Sequence, residues 1–396
     1  MEENRMTEAA PEERNVRSGI RNAEKRKEEK QDAVNAAVPE SESPFQGRID
    51  IKSLELPALK DLLAAFGEKP FRAEQIYEWL HQKKAESFDE MTNLSKPLRE
   101  KLKESTFIMT LREAAKMESK LDGTCKYLFE LYDERVIESV LMRYHHGNSV
   151  CISSQVGCRM GCRFCASTLG GLERNLTASE MLEQVYQIER LTGERVSNVV
   201  VMGTGEPLDN YENLTAFIRI LSSEKGLHIS QRNITVSTCG LVEKIERLAD
   251  EKLTITLALS MHAPNDEVRR QLMPVANKYA LKDVLAACDH YYQKTGRRLT
   301  FEYSLTHGVN DGTAQAKELA SLLKGKNCHV NLIPVNPVRE RAFTRPDGKN
   351  IQNFKNVLEK NQITVTIRRE MGSDIDAACG QLRKRYMDTN KREGGE

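Results

Sequence analysis

The sequence predicts an α/β protein built on a largely parallel sheet, and three observations lead there. Short apolar runs rich in β-branched residues recur through the second half of the chain: SNVVVMG (197–203), NITVST (233–238), LTITLALS (253–260), LTFEYSLT (299–306), HVNLIPV (329–335) and ITVTIRR (363–369). Amphipathic stretches with helical spacing lie between them, so strand and helix alternate. Such alternation builds right-handed βαβ units, either as a barrel or as an open doubly wound sheet. Finally, the chemically unusual loops follow these strands: residues 158–165 after VCISS, 203–207 after NVVVM, His262 after LALS and Asn336 after NLIPV. The carboxyl ends of the strands are where α/β folds place their active sites.

Taken in order, residues 1–46 are rich in Glu, Lys, Arg, Ala and Asn without an apolar stripe, and are expected to form a disordered charged tail. Residues 47–105 show helical spacing, with turn signals at Gly67, Pro70 and Asn93, and carry the only tryptophan, Trp79. That is a small helical accessory domain and a candidate RNA contact, although a solvated face fits its composition equally well. From 106 to 150, LREAAKMES, GTCKYLFELYD, RVIESVLMRY and the start of NSVCISS read as strands, a short β extension leading into a cluster of cysteines. The alternating region, 151–386, opens its first helix with a capping box, Thr177 with Glu180, and residues 387–396 form a basic and polar tail.

At 396 residues the chain can bury a large core without crosslinks. No apolar run approaches the roughly 18 residues of a membrane helix, and MEENRMTEAAPEERN has no apolar signal core. The expected location is the cytoplasm, with no membrane partner, and nothing demands more than a monomer. Nine cysteines in such a chain point to reduced thiols serving as ligands, catalysts or packed residues. The net charge of +1 hides basic clusters at Arg339, Arg341 and Arg345, at Arg368 and Arg369, and from Arg383 to Arg392. Each suits a phosphate backbone, and each is also explained by a solvated surface.

CRMGCRFC places Cys158, Cys162 and Cys165 in a Cys-x3-Cys-x2-Cys spacing. Structural zinc normally takes four ligands, often as paired Cys-x2-Cys sets, and no second pair is present. An ordinary electron-transfer cluster also takes four cysteines. Three thiolates hold three corners of a [4Fe–4S] cluster and leave one iron open to a substrate.

The spacing resembles that of radical S-adenosylmethionine (SAM) enzymes, and GTGEP (203–207) resembles their Gly-Glu-Pro segment. Together with FRAEQIYEWLH, CISSQVGCRMGCRFCAS, NVVVMGTGEPLDNY, TVSTCGL, LALSMHAPNDEVRRQLMPV, HVNLIPVNP and GSDIDAACGQL, the chain over about 47–386 is similar to the RlmN family. These bacterial enzymes methylate C2 of an adenine in 23S ribosomal RNA, and many act on transfer RNA too. The resemblance implies a partial (β/α)6 barrel, a [4Fe–4S] cluster on Cys158, Cys162 and Cys165, two SAM per turnover and an electron donor such as flavodoxin or ferredoxin. It implies that Gly205, Glu206, Ser237, Ser260, Met261, His262 and Asn336 line the SAM site, with Glu206 accepting from the SAM ammonium. Met261 stands where Leu is more usual, a near volume-matched exchange.

Three further residues take their roles from the resemblance. Cys379, in DAACGQL, matches the cysteine that first receives a methyl group from SAM. A 5′-deoxyadenosyl radical then takes a hydrogen from that S-methyl group, and the carbon adds to C2. Cys151 matches the cysteine that resolves the covalent protein–RNA adduct and leaves a transient Cys151–Cys379 disulfide. Glu138 matches the proton acceptor, a role Cys151 could also take; in its own setting, RVIESVL, it reads as a solvent-facing strand residue. Two other readings remain open: methylation at adenine C8 of the same ribosomal base, or an iron–sulfur RNA-binding module without turnover. The second leaves two thiols outside the cluster without a use.

Overall fold

The computed structural model describes residues 45, 47–336, 338 and 340–375. Cys379, Arg339, the basic run from Arg383 to Arg392 and residues 1–44 lie outside the described residues. The described residues from Arg48 to Ile375 form one compact unit.

The accessory region is helical, as its spacing predicts. Strands β1 (Ile49–Asp50) and β2 (Thr106–Phe107) pair in parallel and tie its two ends together. Between them run α1 (Leu56–Ala65), α2 (Pro70–His81) and α3 (Lys96–Ser105), each with a proline in its first turn, where the missing N–H has no helical partner to lose. Gly67, just past α1, has φ +80, the left-handed region that suits glycine at a helix end. Leu59, Leu63, Ile76, Leu80, Leu98 and Leu102 are buried and join the core of the whole unit.

Four strands follow as an antiparallel run: β3 (Arg112–Glu118), β4 (Cys125–Glu130), β5 (Val136–Tyr144) and β6 (Gly147–Cys151). A hairpin of β7 (Gln155–Gly157) and β8 (Leu172–Asn175) comes next. Then strands alternate with helices: α4 (Ala178–Thr192), β9 (Val196–Val201), α5 (Tyr211–Ser222), β10 (Ile234–Thr238), α6 (Val242–Asp250) and β11 (Thr256–Ser260). The alternation ends with α7 (Asp266–Leu272), α8 (Leu281–Thr295), β12 (Leu299–Leu305), α9 (Thr313–Leu323), β13 (Cys328–Pro334), α10 (Gly348–Lys360) and β14 (Thr364–Ile367). The capping box at the start of α4 forms as the sequence predicts.

One sheet of ten strands results, in the order β14-β13-β12-β11-β10-β9-β6-β5-β4-β3. From β6 through β14 the pairings are parallel and never reverse direction, the winding of a barrel rather than of a doubly wound sheet. The arc of six units implied by the resemblance continues into a seventh parallel strand. The β extension expected at 106–150 belongs to the same sheet, and a boundary at 150 would cut β6, because β6 pairs with β5 on one side and β9 on the other.

The chain after β14 shows how strongly the sheet is curled. Asp374 Oδ1 accepts from Ser119 Oγ at 2.6 Å, and Asp374 Oδ2 accepts from the Lys120 N–H at 3.0 Å. Asp122 Oδ2 accepts from the Gly372 N–H at 3.0 Å. Residues 119–124 form the turn between β3 and β4, at the far edge of the sheet from β14. Laid flat, ten strands would separate those edges by roughly 43 Å. Seven residues from Ile367 to Asp374 span at most about 25 Å. The sheet must therefore curve into a partial barrel, which the C-terminal segment crosses.

Candidate active site

A cavity of about 360 Å³ opens at the carboxyl ends of the parallel strands, and its lining draws on β5, β6 and every parallel strand through to the residues after β14. Cys158, Cys162 and Cys165 line it together. Their loop is not a simple strand-to-helix connection, since it hangs from the hairpin of β7 and β8, where the Cys158 N–H donates to Gly171 O at 2.8 Å. Gly157 makes that approach possible: its φ is +77, and a Cβ there would lie 2.0 Å from the Gly171 oxygen. Thr168 Oγ1 donates to the carbonyls of Cys162 and Cys165 at 3.0 and 3.1 Å, and accepts from Arg341 at 3.1 Å, bracing the loop.

The loop sits on an apolar bed of Leu272, Met273 and Cys239. Burial pushes the Cys158 thiol up to about 12 and raises that of Cys162 as well. Thiols in so dry a place become thiolates only beside a cationic group that binds them, which is the setting of a metal cluster rather than of a surface nucleophile. Among the described residues no three His, Cys, Asp or Glu side chains converge on a single ion. Three soft donors lining one cavity fit the corners of an iron–sulfur cluster.

The loops after β6 and β9 are sewn together. Gly203 N–H donates to Ile152 O at 2.9 Å, and Ser154 and Gln155 N–H donate to Thr204 O at 2.9 and 3.1 Å. Gly205, at φ +115, allows this contact, because a Cβ would lie 2.6 Å from Ser154 Oγ. Glu206 is thereby fixed at the cavity wall. Its N–H donates to Gln155 Oε1 at 2.8 Å, while its carboxylate accepts from the N–H groups of Leu208 at 3.1 Å and Cys239 at 2.8 Å. Burial raises its pKa, and the two backbone donors oppose that rise.

Ser237 and Ser260 hydroxyls meet at 3.1 Å on the wall. His262, at φ +56, stacks edge-on against Phe164 of the cysteine loop with ring centroids 4.9 Å apart. Its Nδ1 accepts from the Ser304 N–H at 2.9 Å, so the neutral ring carries its proton on Nε2. Burial, then the nearby Arg269, lowers its pKa to about 3. Asn336 also lines the cavity. Met261 does not: its side chain is wholly buried in the core, and its N–H donates to Glu302 O at 3.0 Å.

Cys151 and Glu138 reach the same cavity from β6 and β5. The solvent-facing expectation for Glu138 is overturned, for the residue is only 3% exposed. Its strand is covered on both sides: Ser139 and its alternates face α4, where Ser139 Oγ donates to Gln184 Oε1 at 2.9 Å, while Glu138, Val140, Met142 and Tyr144 face the cavity. Cys151 lies directly opposite Val140, which places the thiol and the carboxylate on one wall. Burial raises the Cys151 pKa, and Arg368 opposes the rise. All eight described cysteines are free thiols.

Residues 49–108 match the family described as "Ribosomal RNA large subunit methyltransferase N-terminal domain", and residues 152–320 match the radical SAM superfamily. A protein of Lachnoclostridium phytofermentans named "Probable dual-specificity RNA methyltransferase RlmN" is 69% identical over 341 residues, 86% of this chain and 96% of that one. The chain belongs to the RlmN family. Its relative in Alkaliphilus oremlandii, of the same name, is 54% identical over 86% of this chain and 99% of that one. A crystal structure of a radical SAM methyltransferase from Sphaerobacter thermophilus superposes with a TM-score of 0.80 at 45% identity, over 84% of this chain and 98% of the other. As a radical SAM protein of the RlmN family, it is a SAM-dependent methyltransferase that uses a [4Fe–4S] cluster.

In this RlmN-family site several residues escape sequence reasoning. Glu302, 4% exposed, lines the cavity from β12, its Oε2 accepting from Asn331 at 2.9 Å. Arg368, Arg369 and Met371 line it just before the segment that leads to Cys379. Lys126 lies behind Glu138 without any exposure, its Nζ 3.1 Å from Glu138 Oε2. Two signals were local: Arg368 and Arg369 stand out as a basic pair, and a lysine and a glutamate, each inside an apolar strand, suggest two buried charges that pair.

Proposed function

We propose that this protein methylates C2 of an adenine in 23S ribosomal RNA, on the immature or protein-poor RNA, and an adenine in transfer RNA. The observation that carries the reading is a single cavity lined by three cluster-type cysteines, the Glu206 and His262 walls, Cys151 and Glu138, with the Cys379-bearing segment leaving from Met371 on its rim. Four residues lead from Ile375, just past the Asp374 anchor, to Cys379, a reach of at most about 14 Å.

C2 of adenine lies between two ring nitrogens and is too electron-poor to attack the methyl of SAM, so a carbon carrier and one-electron chemistry are required. Cys158, Cys162 and Cys165 would hold a [4Fe–4S] cluster, which would supply the electron for cleaving SAM. Glu206 holds the SAM ammonium, and His262 offers Nε2–H as a donor. Cys379 takes a methyl group from one SAM by polar displacement, yields one of its hydrogens to the adenosyl fragment of a second, and bonds its carbon to C2. Glu138 or Cys151 removes the C2 proton. Cys151 then attacks the Cys379 sulfur: the sulfur–carbon bond breaks, the disulfide forms, the carbon takes a proton from solvent, and one electron leaves for the redox partner. Two electrons from a donor such as flavodoxin or ferredoxin reopen the disulfide.

The eight described cysteines are free thiols, which fits the reducing cytoplasm expected for this chain, and no described helix is long and apolar enough to cross a membrane. We read the protein as acting as a monomer. An adenine paired in a duplex hides C2 in the minor groove, so the target is a loop or flipped base. Nucleoside mass spectrometry of RNA from treated ribosomal and transfer RNA tests the reading: 2-methyladenosine is expected, and 8-methyladenosine would replace it with C8 chemistry.

A further inference from the structure

Arg269 of α7 is wholly buried, 0% exposed. Its guanidinium donates to two backbone carbonyls, Cys239 O at 2.7 Å and Tyr279 O at 3.3 Å, and its buried Nε has no hydrogen-bond partner among the described residues. No described carboxylate pairs with it: Asp266, one turn back in α7, gives its Oδ1 to the Leu281 N–H at 2.7 Å. Burial disfavours the charged form, yet a guanidinium does not give up its proton. A buried charge without a counter-charge is strongly destabilising, so this one calls for an anion close by. The place where it sits names that anion. Cys239, whose carbonyl Arg269 binds, forms with Leu272 and Met273 the apolar bed on which Cys162 and Phe164 pack. Leu272, the last residue of α7, accepts from the Arg163 N–H of the cysteine loop at 2.8 Å. Gly240 lets the guanidinium in: its φ is +99, and a Cβ there would lie 3.3 Å from the Arg269 side chain and 2.8 Å from Val284 Cγ1. Burial raises the Cys162 pKa, the neighbouring thiols add to the rise, and Arg269 opposes it.

We infer that Arg269 is a positioning residue that places a fixed positive charge behind the three cluster thiolates and so favours the reduced cluster. The inference rests on the reading that Cys158, Cys162 and Cys165 hold the cluster. Three thiolates around a doubly positive [4Fe–4S] core leave a net negative charge, and one-electron reduction adds another. Charge in the surroundings is one of the levers that set cluster potentials. Acting through an apolar layer rather than through water, a single cation keeps much of its effect. In the reduction one electron enters from the flavodoxin- or ferredoxin-type donor, no proton moves, and the guanidinium stays charged throughout. The two carbonyl bonds hold the charge in one place, so it need not reorganise when the electron arrives.

The test is a potentiometric titration of the anaerobically reconstituted holoprotein, carried out without SAM so that cofactor binding does not move the result. The reduced cluster is read by its electron paramagnetic resonance signal. Wild type, Arg269→Gln and Arg269→Lys are compared at equal iron content. The Gln variant keeps an N–H donor for Cys239 O and removes the charge; the Lys variant keeps the charge and gives up the fork to two carbonyls. Arg269→Gln is expected to be reduced with an equilibrium constant about 10-fold smaller than the wild type, about 59 mV for one electron. Arg269→Lys should stay within about 3-fold of the wild type, although its melting temperature falls. A purely structural role gives the other order, with Arg269→Lys moving at least as far as Arg269→Gln. Should the neutral variant hold no cluster, Arg269→Lys decides alone: a potential near that of the wild type supports the inference, and an equilibrium constant about 10-fold smaller overturns it. The inference is also overturned if Arg269→Gln titrates with the wild type. A wild-type chain that does not assemble about four irons would instead overturn the cluster reading on which the inference rests.

Discussion

Glu206 shows how the backbone positions the carboxylate proposed to hold the SAM ammonium. Both oxygens accept a backbone N–H, from Leu208 and Cys239, which holds the group against a buried wall and opposes the rise in pKa that burial causes. Glu206→Gln replaces one carboxylate oxygen by an NH₂ group and turns it toward one of the two donors. SAM affinity of the holoprotein is expected to fall by about 30- to 100-fold, the value of a charged hydrogen bond of about 2–3 kcal/mol. Equilibrium dialysis checks this, with iron content unchanged. Gly205 is equally constrained, since a Cβ would lie 2.6 Å from Ser154 Oγ and 2.8 Å from Gln155 N at φ +115. Gly205→Ala is expected to cost about 2–4 kcal/mol of stability by denaturant melting.

At the scale of elements, the helical region and the barrel share one core across buried charge. Lys52 Nζ lies 2.5 Å from Glu183 Oε1 of α4, both without exposure, and donates to Met109 O at 2.7 Å. Lys52→Met leaves Glu183 with its other partner, Arg190, but without the buried one; stability is expected to drop by about 3–5 kcal/mol, and Lys52→Met with Glu183→Leu to recover part of it. Nearby His81 of α2 is fully buried, its Nδ1 2.9 Å from the Tyr186 hydroxyl. Burial, then Lys52, holds its pKa well below 6.5. The unfolded chain therefore binds a proton near pH 6.5 that the folded chain refuses, so stability is full above that pH and declines below it. Melting temperatures at pH 7.5 and 5.5 should differ less in His81→Gln than in the wild type.

The same scale explains what could be read from the sequence. Hydrophobic period and turn residues expose β9 through β14, the capping box of α4 and the accessory helices, because those signals are local. The cysteine spacing, GTGEP and DAACGQL are local too. What stays hidden is register across distant strands. Glu138 looks solvent-facing by itself because nothing in RVIESVL reveals that both faces of β5 are covered. Glu302 and Arg368 carry no motif and gain their place only when the sheet curls. The joining of β3–β5 to the barrel sheet likewise depends on pairing between β6 and β9.

For the whole molecule, closure of the curled sheet sets the chemistry. Residues 371–375 cross from β14 to the turn between β3 and β4 through Asp122 and Asp374, and the Cys379 segment starts from that anchor. Asp122→Ala with Asp374→Ala should loosen the anchor and slow Cys379 methylation by about 10-fold, as misplacement of a reacting group does. Cluster content, expected at about four irons per chain after anaerobic purification, should not change. The central claim is that the carbon reaches RNA while bonded to Cys379 and that Cys151 releases it. Its most direct measurement is Cys151→Ala holoenzyme incubated with SAM, reductant and ribosomal RNA, then resolved on a denaturing gel and mapped by mass spectrometry. A covalent protein–RNA species joined through Cys379 and one carbon to adenine C2 is expected; free methylated RNA with no crosslinked protein would contradict the account.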